Sequence, residues 1–418
     1  MVTKTLLANG IRVISENIPH AQSVSVGIWV SNGSRHEESE FGGVAHFIEH
    51  LLFKGTARRS ALDIAREIDS VGGILNAFTG REFVCYYAKV SSKFLAKAVD
   101  LLTDIFLNSV FDADEIEKER KVILQEVRML EDAPDDYIHD LFSQNIWQGN
   151  PLGRPVIGTE LSIGALSRDA IVAYKNRAYR AEDIIIAVAG KVNHKELLLF
   201  LNEQFDSVAT DSSMVVTEVP EYSKKIVVAE KDLEQIHLCL GTRALAQNHP
   251  DRYEAFILNT VLGGSMSSRL FQEVREKHGL AYSVYSYISS HSDTGALAVY
   301  AGTGGERLEE VIDIIVREMK TLKNDPLSSD ELTAAKEQIK GNLLLSLESS
   351  DSRMSKLAKN EIFFGGYQSL KTVMAGLDRV TPKSLLSVSE QLFDDNYVSL
   401  VLLGKVAPGL ITPTALTI

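Results

Sequence analysis

Cysteine is scarce in this chain: Cys85 and Cys239 are the two in 418 residues, and each sits inside an apolar, strand-like run. That excludes a disulfide framework and predicts reduced core thiols, as suits a reducing compartment. No sustained Lys/Arg block occurs, and the formal net charge is -13. Phosphate backbones need a basic face, so nucleic acid is not an expected partner, whereas basic peptides would be steered toward such a surface. No uninterrupted apolar run reaches the roughly 18 residues of a membrane span, and none is expected. The opening segment MVTKTLLANGIRVISENI lacks an apolar stretch ahead of a small-residue cleavage site and lacks the Arg/Ser richness of a transit peptide, so it reads as the start of a folded strand.

What is present is enough apolar sequence, 45% of the residues, for two or more cores. The order of elements occurs twice. In the first half SVSVGIWVSNG alternates as a strand, GGVAHFIEHLLF has helical spacing, and SALDIAREIDSVGG is a second helix stopped by Gly72 and Gly73. ILNAFTGREFVCYYAKV reads as a hairpin turning near Gly80, and the helices KFLAKAVDLLTDIF and DADEIEKERKVILQEVRMLE precede the strand DIIIAVAGKV. After a polar stretch the series returns as IHLCLGTRA, PDRYEAFILNTVLGG, the hairpin AYSVYSYISSHSDTGALAVYAGT, LEEVIDIIVREMKTL, SSDELTAAKEQIKGNLL and YVSLVLLGKV. The prediction is an α+β fold of two homologous domains, each with a mixed or antiparallel sheet carrying helices on one face. Their boundaries are 1–205, a linker over 206–225 and 226–418.

The halves differ where chemistry would sit. His46 and His50 lie one helical turn apart, so both imidazoles project from one face, with Glu49 beside them. The matching helix of the second half has no histidine, and Asn342 stands where the first half has Glu126. A catalytic zinc takes three protein ligands and keeps one position for water. Glu126 is the expected third ligand, and Glu119, two turns earlier on the same face, is placed to orient a ligand from behind. Glu49 is left as the general base for a metal-held water. A coincidental polar face on an amphipathic helix is the competing account, but two histidines in so apolar a context need partners.

HFIEHLLFKGT, an inverted zinc motif with its LFKGT tail, resembles the pitrilysin-type metallopeptidases, closest to the β-subunit of mitochondrial processing peptidase and its bacterial homologues. The resemblance runs nearly end to end through GGILNAFTGRE, EKERKVILQE and SSRLFQEVREKHGLAYS. It implies one Zn2+ per chain on His46, His50 and Glu126, and two domains forming half of a clamshell chamber. It places Asn76, Ala77 and Phe78 on an edge strand that pairs with an extended substrate. Arg275 and Tyr282 match residues that reach the substrate backbone and the reacting carbonyl. Phe53 matches the aromatic residue that receives the side chain after the cut, with a core role as the alternative. Asp136 and Asp140 match acidic residues that take an arginine before the cut, with a solvated acidic face as the alternative. The implied activity is zinc-dependent endopeptidase action on extended peptides, favouring Arg near the cut. The implied partners are peptide substrates and a second subunit, in a homodimer or with a non-catalytic sister. The implied location is the bacterial cytoplasm, or the organelle matrix for a mature protein. Val84 and Cys85 depart from the polar residues common in relatives, and GGSMSS is shorter than the glycine-rich loop of the non-catalytic sister. A non-catalytic core or assembly subunit, or a peptide-binding homologue, is the rival reading.

Overall fold

The computed structural model describes residues 2–210, 218–407, 409–410 and 412–418. Part of the expected linker, 211–217, lies outside them. Eleven strands are described: β1 (Val2–Leu6), β2 (Arg12–Asn17), β3 (Ser23–Val30), β4 (Ile74–Thr79), β5 (Val84–Ser91), β6 (Ile184–Gly190), β7 (Ile226–Ala229), β8 (Ile236–Ala244), β9 (Ala281–Ser290), β10 (Gly295–Thr303) and β11 (Ser399–Leu403). The helices of the first half are α1 (Val44–Leu52), α2 (Ala61–Asp69), α3 (Leu95–Asn108), α4 (Ala113–Glu131), α5 (Pro134–Ile146), α6 (Glu160–Ala165), α7 (Arg168–Ala178) and α8 (His194–Phe205). Those of the second are α9 (Arg252–Leu262), α10 (Leu308–Asn324), α11 (Ser329–Ser346), α12 (Ser350–Phe364), α13 (Leu370–Arg379) and α14 (Pro382–Leu392).

The chain forms two compact units, each around one mixed sheet. The first comprises the described residues of Met1–Met129, Arg154–Thr217 and Leu344–Tyr367; the second comprises Leu130–Gly153, Glu218–Leu343 and Gln368–Ile418. In the first, the order is β1-β2-β6-β3-β5-β4, with β2 and β6 parallel and the other neighbours antiparallel. In the second, the order is β7-β11-β8-β10-β9, with β7 and β11 parallel. The duplicated α+β plan of the sequence is therefore present in both units.

The units exchange a helix, which the sequence reading did not include. α12 comes from the second half but belongs to the first unit, and α5 comes from the first half but belongs to the second. The physical reason is in β6 and β11, whose residues are all buried. A strand buried on both faces needs cover on both. One face of the first sheet packs into the large core with α1, α3 and α7. The other face, with Ile14, Trp29, Ile185, Ala187 and Ala189, is covered by Met354, Leu357 and Ala358 of α12. Trp29 Nε1 donates to Met354 Sδ at 3.2 Å, and Arg353 pairs with Glu16 at 2.8 Å. In the second unit Ile138, Phe142 and Ile146 of α5 cover Cys239, Ala296, Ala298 and Val401 in the same way. Both cysteines are free and buried, as expected.

Candidate metal centre

The helix α1 is amphipathic in an unusually complete sense: Val44, Ala45, Phe47, Ile48, Leu51 and Leu52 are each at most 1% exposed. The three residues that remain toward the open face are His46, Glu49 and His50. Helical spacing of three and four residues brings them together, with the two imidazole centroids 4.8 Å apart. From α4, Glu126 Oε2 lies 3.5 Å from His50 Nε2 and 3.9 Å from His46 Nε2. The three donor atoms all fall within 4.8 Å of one another.

These separations fit a shared ion. Donors held at about 2.0–2.2 Å from a tetrahedral zinc stand roughly 3.4 Å apart, which is longer than a hydrogen bond and close to the spacing here. His46 is also in the protonation state a metal ligand needs. Burial, then the neighbouring His50, pulls the pKa of His46 down to about 4, so its ring is neutral near pH 7. Its Nδ1 is buried without a hydrogen-bond partner in the described structure. His50 Nδ1 sits 3.0 Å from Glu119 Oε2, a contact that orients the ring so that Nε2 faces Glu126. Glu126 is the most exposed of the three, its side chain 39% accessible, and opens the centre to water on that side.

Two further groups hold this arrangement, and sequence reasoning did not pick them out. Lys54 Nζ lies 2.6 Å from Glu119 Oε1, so Glu119 is clamped between the imidazole it orients and a lysine one turn beyond it. The signal was available, since Lys54 follows His50 by four residues. Glu37 is buried, and its two carboxylate oxygens accept from Gly43 N–H at 2.7 Å and Ala45 N–H at 2.9 Å. It thus satisfies amide groups at the start of α1 from outside the helix, where a residue at the cap position would ordinarily do so. Arg154 Nη1 donates to the Glu37 carbonyl at 2.8 Å. Gly43 itself has φ +88, and a Cβ there would stand 2.6 Å from the Ile157 carbonyl oxygen. Nothing local in the sequence marks Glu37, because its partners are chosen by the loop's path.

Glu49 is not among the three close donors but stands beside them. Thr79 Oγ1 of β4 donates to Glu49 Oε2. Burial pushes the Glu49 pKa above the ordinary carboxylate range, against the Thr79 hydrogen bond and His50, while Glu126 pushes it further up. A carboxylate whose pKa is raised is a stronger base than an ordinary one, which suits it to take a proton.

β4 is the edge strand of its sheet. Asn76 is exposed, Ala77 and Phe78 are half-buried, and Phe78 packs edge-on to Trp29 with centroids 5.4 Å apart. Phe53 follows α1 directly and packs, partly buried, against the first unit's core. The other expected residues belong to the second unit. Arg275 lies over the Tyr282 ring at 4.8 Å, and Tyr282 is 79% exposed. Asp136 and Asp140 lie on α5 around His139, whose ring nitrogens are 2.8 and 2.9 Å from the hydroxyls of Tyr287 and Tyr285.

The chain is similar to known zinc proteases along most of its length. The insulinase-type peptidase M16 domain matches residues 12–160, and the M16 inactive domain matches residues 165–339. An uncharacterized zinc protease of Bacillus subtilis, YmxG, is 42% identical over 95% of this chain and 97% of its own length. An uncharacterized zinc protease of Mycobacterium leprae is 39% identical over 96% of this chain and 91% of its own. Among solved structures, a protease from Helicobacter pylori superposes with a TM-score of 0.90 at 24% identity, covering 97% of this chain and 99% of that one. A chain of Complex III2 from Candida albicans gives 0.87 at 21% identity, covering all of both chains. At these identities the two structures speak for the fold alone. No helix among the described residues is long and apolar enough to cross a membrane.

Proposed function

The chain belongs to peptidase family M16, and we propose that it is a zinc-dependent endopeptidase acting on extended or unfolded peptides. The observation that carries this is the complete set His46, His50 and Glu126, with a carboxylate base beside it and a second carboxylate behind His50. The ion, one per chain, would be held by those three side chains. When bound it supplies Lewis acidity and lowers the pKa of a coordinated water to about 7.

The remaining steps fall to the protein. Glu49 takes a proton from the attacking water and passes it to the leaving amine; Thr79 holds one of its oxygens, and partial burial raises its basicity above that of an ordinary carboxylate. Glu119 keeps His50 in the ligating orientation. The outer edge of β4, with Asn76, Ala77 and Phe78, offers unpaired backbone groups to an extended peptide. We assign Arg275 and Tyr282 to binding the substrate backbone and the reacting carbonyl, Phe53 to the side chain after the cut, and Asp136 and Asp140 to an arginine before it. In this reading the first half carries the chemistry and the second contributes binding residues, and the working form is a homodimer or a pair with a non-catalytic sister. Its bacterial relatives favour a bacterial cytoplasmic setting.

A non-catalytic assembly or peptide-binding role is the second reading, since residues 165–339 match the domain of the family described as inactive. Such a role places no demand on a ligand set plus base, and all four residues are present here. Incubating metal-loaded protein with an arginine-containing peptide, with and without chelator, separates the two. Chelator-sensitive fragments are expected; an intact peptide in both arms would transfer the protein to the second reading.

A further inference from the structure

Away from the metal centre, a cavity of about 510 Å³ opens in the first unit where α3, α7 and α8 end. Lys175 and Arg180 line it, together with Asn108, Asn176, Gln204 and Ser207. Among the described residues, Glu203 is the one acidic residue in the lining, and no ion pair joins it to either cation. This is an odd place for two lone cations. The chain carries 43 basic against 56 acidic residues, so carboxylate partners are in excess.

Both cations are short of partners. Arg180 Nε is buried with no hydrogen-bond partner in the described structure. The contact recorded for the Lys175 ammonium is the face of the Phe111 ring, 5.6 Å to the centroid. Burial alone, with no nearby charge to oppose it, pulls the Lys175 pKa down to about 8. Helix C-termini favour cations, and three of them meet here. Yet their carbonyls leave Arg180 Nε unsatisfied, so the dipoles account for the presence of charge and not for its missing acceptor.

We propose that this cavity is an anion site, with Lys175 and Arg180 holding a phosphate-type dianion, either free or as the monoester of a small molecule. The pair supplies a point charge and a guanidinium fork, the combination that suits tetrahedral oxyanions. Asn176, Gln204 and Ser207 add neutral hydrogen-bonding groups around it. The volume exceeds that of inorganic phosphate and leaves room for an organic substituent.

The test uses the full chain stripped of metal with a chelator, so that phosphate has no ion at the histidine centre to bind. Inorganic phosphate and glycerol phosphate are titrated in parallel at constant ionic strength set with chloride, followed by calorimetry and thermal melting. One saturable site per chain is expected, with melting temperature rising as it fills. Tighter binding of glycerol phosphate than of phosphate would identify the monoester as the ligand class; equal binding would identify the free anion. Lys175→Met and Arg180→Gln should each weaken the site at least tenfold, and Lys175→Arg should restore most of it. No heat beyond the chloride control in the wild-type chain would overturn the proposal, and so would binding unchanged in both variants. The wild-type titration decides the matter even if a variant fails to fold. Peptide cleavage is read on separate metal-loaded samples, so either result leaves the peptidase reading to its own assay.

Discussion

At the scale of single residues, the proposed mechanism separates ligands from base. Glu49 hydrogen-bonds to Thr79 and is not one of the three close donors, so Glu49→Gln removes a proton acceptor while leaving His46, His50 and Glu126 in place. The expected outcome is metal content near one per chain with kcat lowered about 10²–10⁴-fold, the worth of general-base catalysis; near-normal turnover would take Glu49 out of the mechanism. Lys175 offers a pH test of a different kind. Its folded pKa, about 8, lies below the ordinary 10.5, so between these values the unfolded chain holds more protons than the folded one. Stability from this group therefore rises with pH across that window, and the burial penalty is full below pH 8. In phosphate-free buffer at pH 7, Lys175→Met should stabilise the chain by at most about 3 kcal/mol, less whatever residual solvent screens. The gain should fade toward pH 10.5. A difference in unfolding free energy that stays flat from pH 7 to 10.5 would show that Lys175 is not held short of charge compensation.

At the scale of elements, the ligand helix was the most legible part of the sequence, and its support the least. HFIEH prints its geometry directly, because three- and four-residue spacing fixes which side chains share a face. The partner Glu126 could be inferred since α4 is a long regular helix whose register is set by Glu119 and Ile123. Glu37 could not, because its contacts to Gly43 and Ala45 depend on a loop with a left-handed glycine rather than on any period. This cap carries a consequence. Glu37→Ala leaves two amide groups at the start of α1 without acceptors, at a cost of about 2–4 kcal/mol. If Glu37 also positions the ligands, zinc affinity should fall with stability, and Glu37→Gln, which keeps one acceptor oxygen, should recover part of both. Zinc affinity unchanged in Glu37→Ala, measured on the folded fraction, would reduce Glu37 to a purely structural cap.

At the scale of the whole molecule, the duplicated order of elements was readable, and the exchange of α5 and α12 was not, although its cause was in plain sight. IIIAVAG in β6 and SLVLL in β11 are continuous apolar runs rather than alternating ones, and a continuous run announces cover on both faces without saying from where. The second cover for each sheet comes from the other half of the chain, across a sequence distance that no local pattern encodes. A fragment ending at residue 217 should therefore fail in two ways. Its sheet would expose Ile14, Trp29, Ile185, Ala187 and Ala189, which α12 buries, and its α5 would present Ile138, Phe142 and Ile146 with no sheet beneath them. Exposed apolar faces of this kind bind hydrophobic dyes and blur cooperative melting. Fusing residues 344–367 to that fragment through a flexible linker should restore a cooperative transition, because α12 also brings Arg353 back to Glu16 and Met354 back to Trp29. A fragment that melts sharply without α12, and gains nothing from its return, would mean that the first sheet is closed by its own half of the chain.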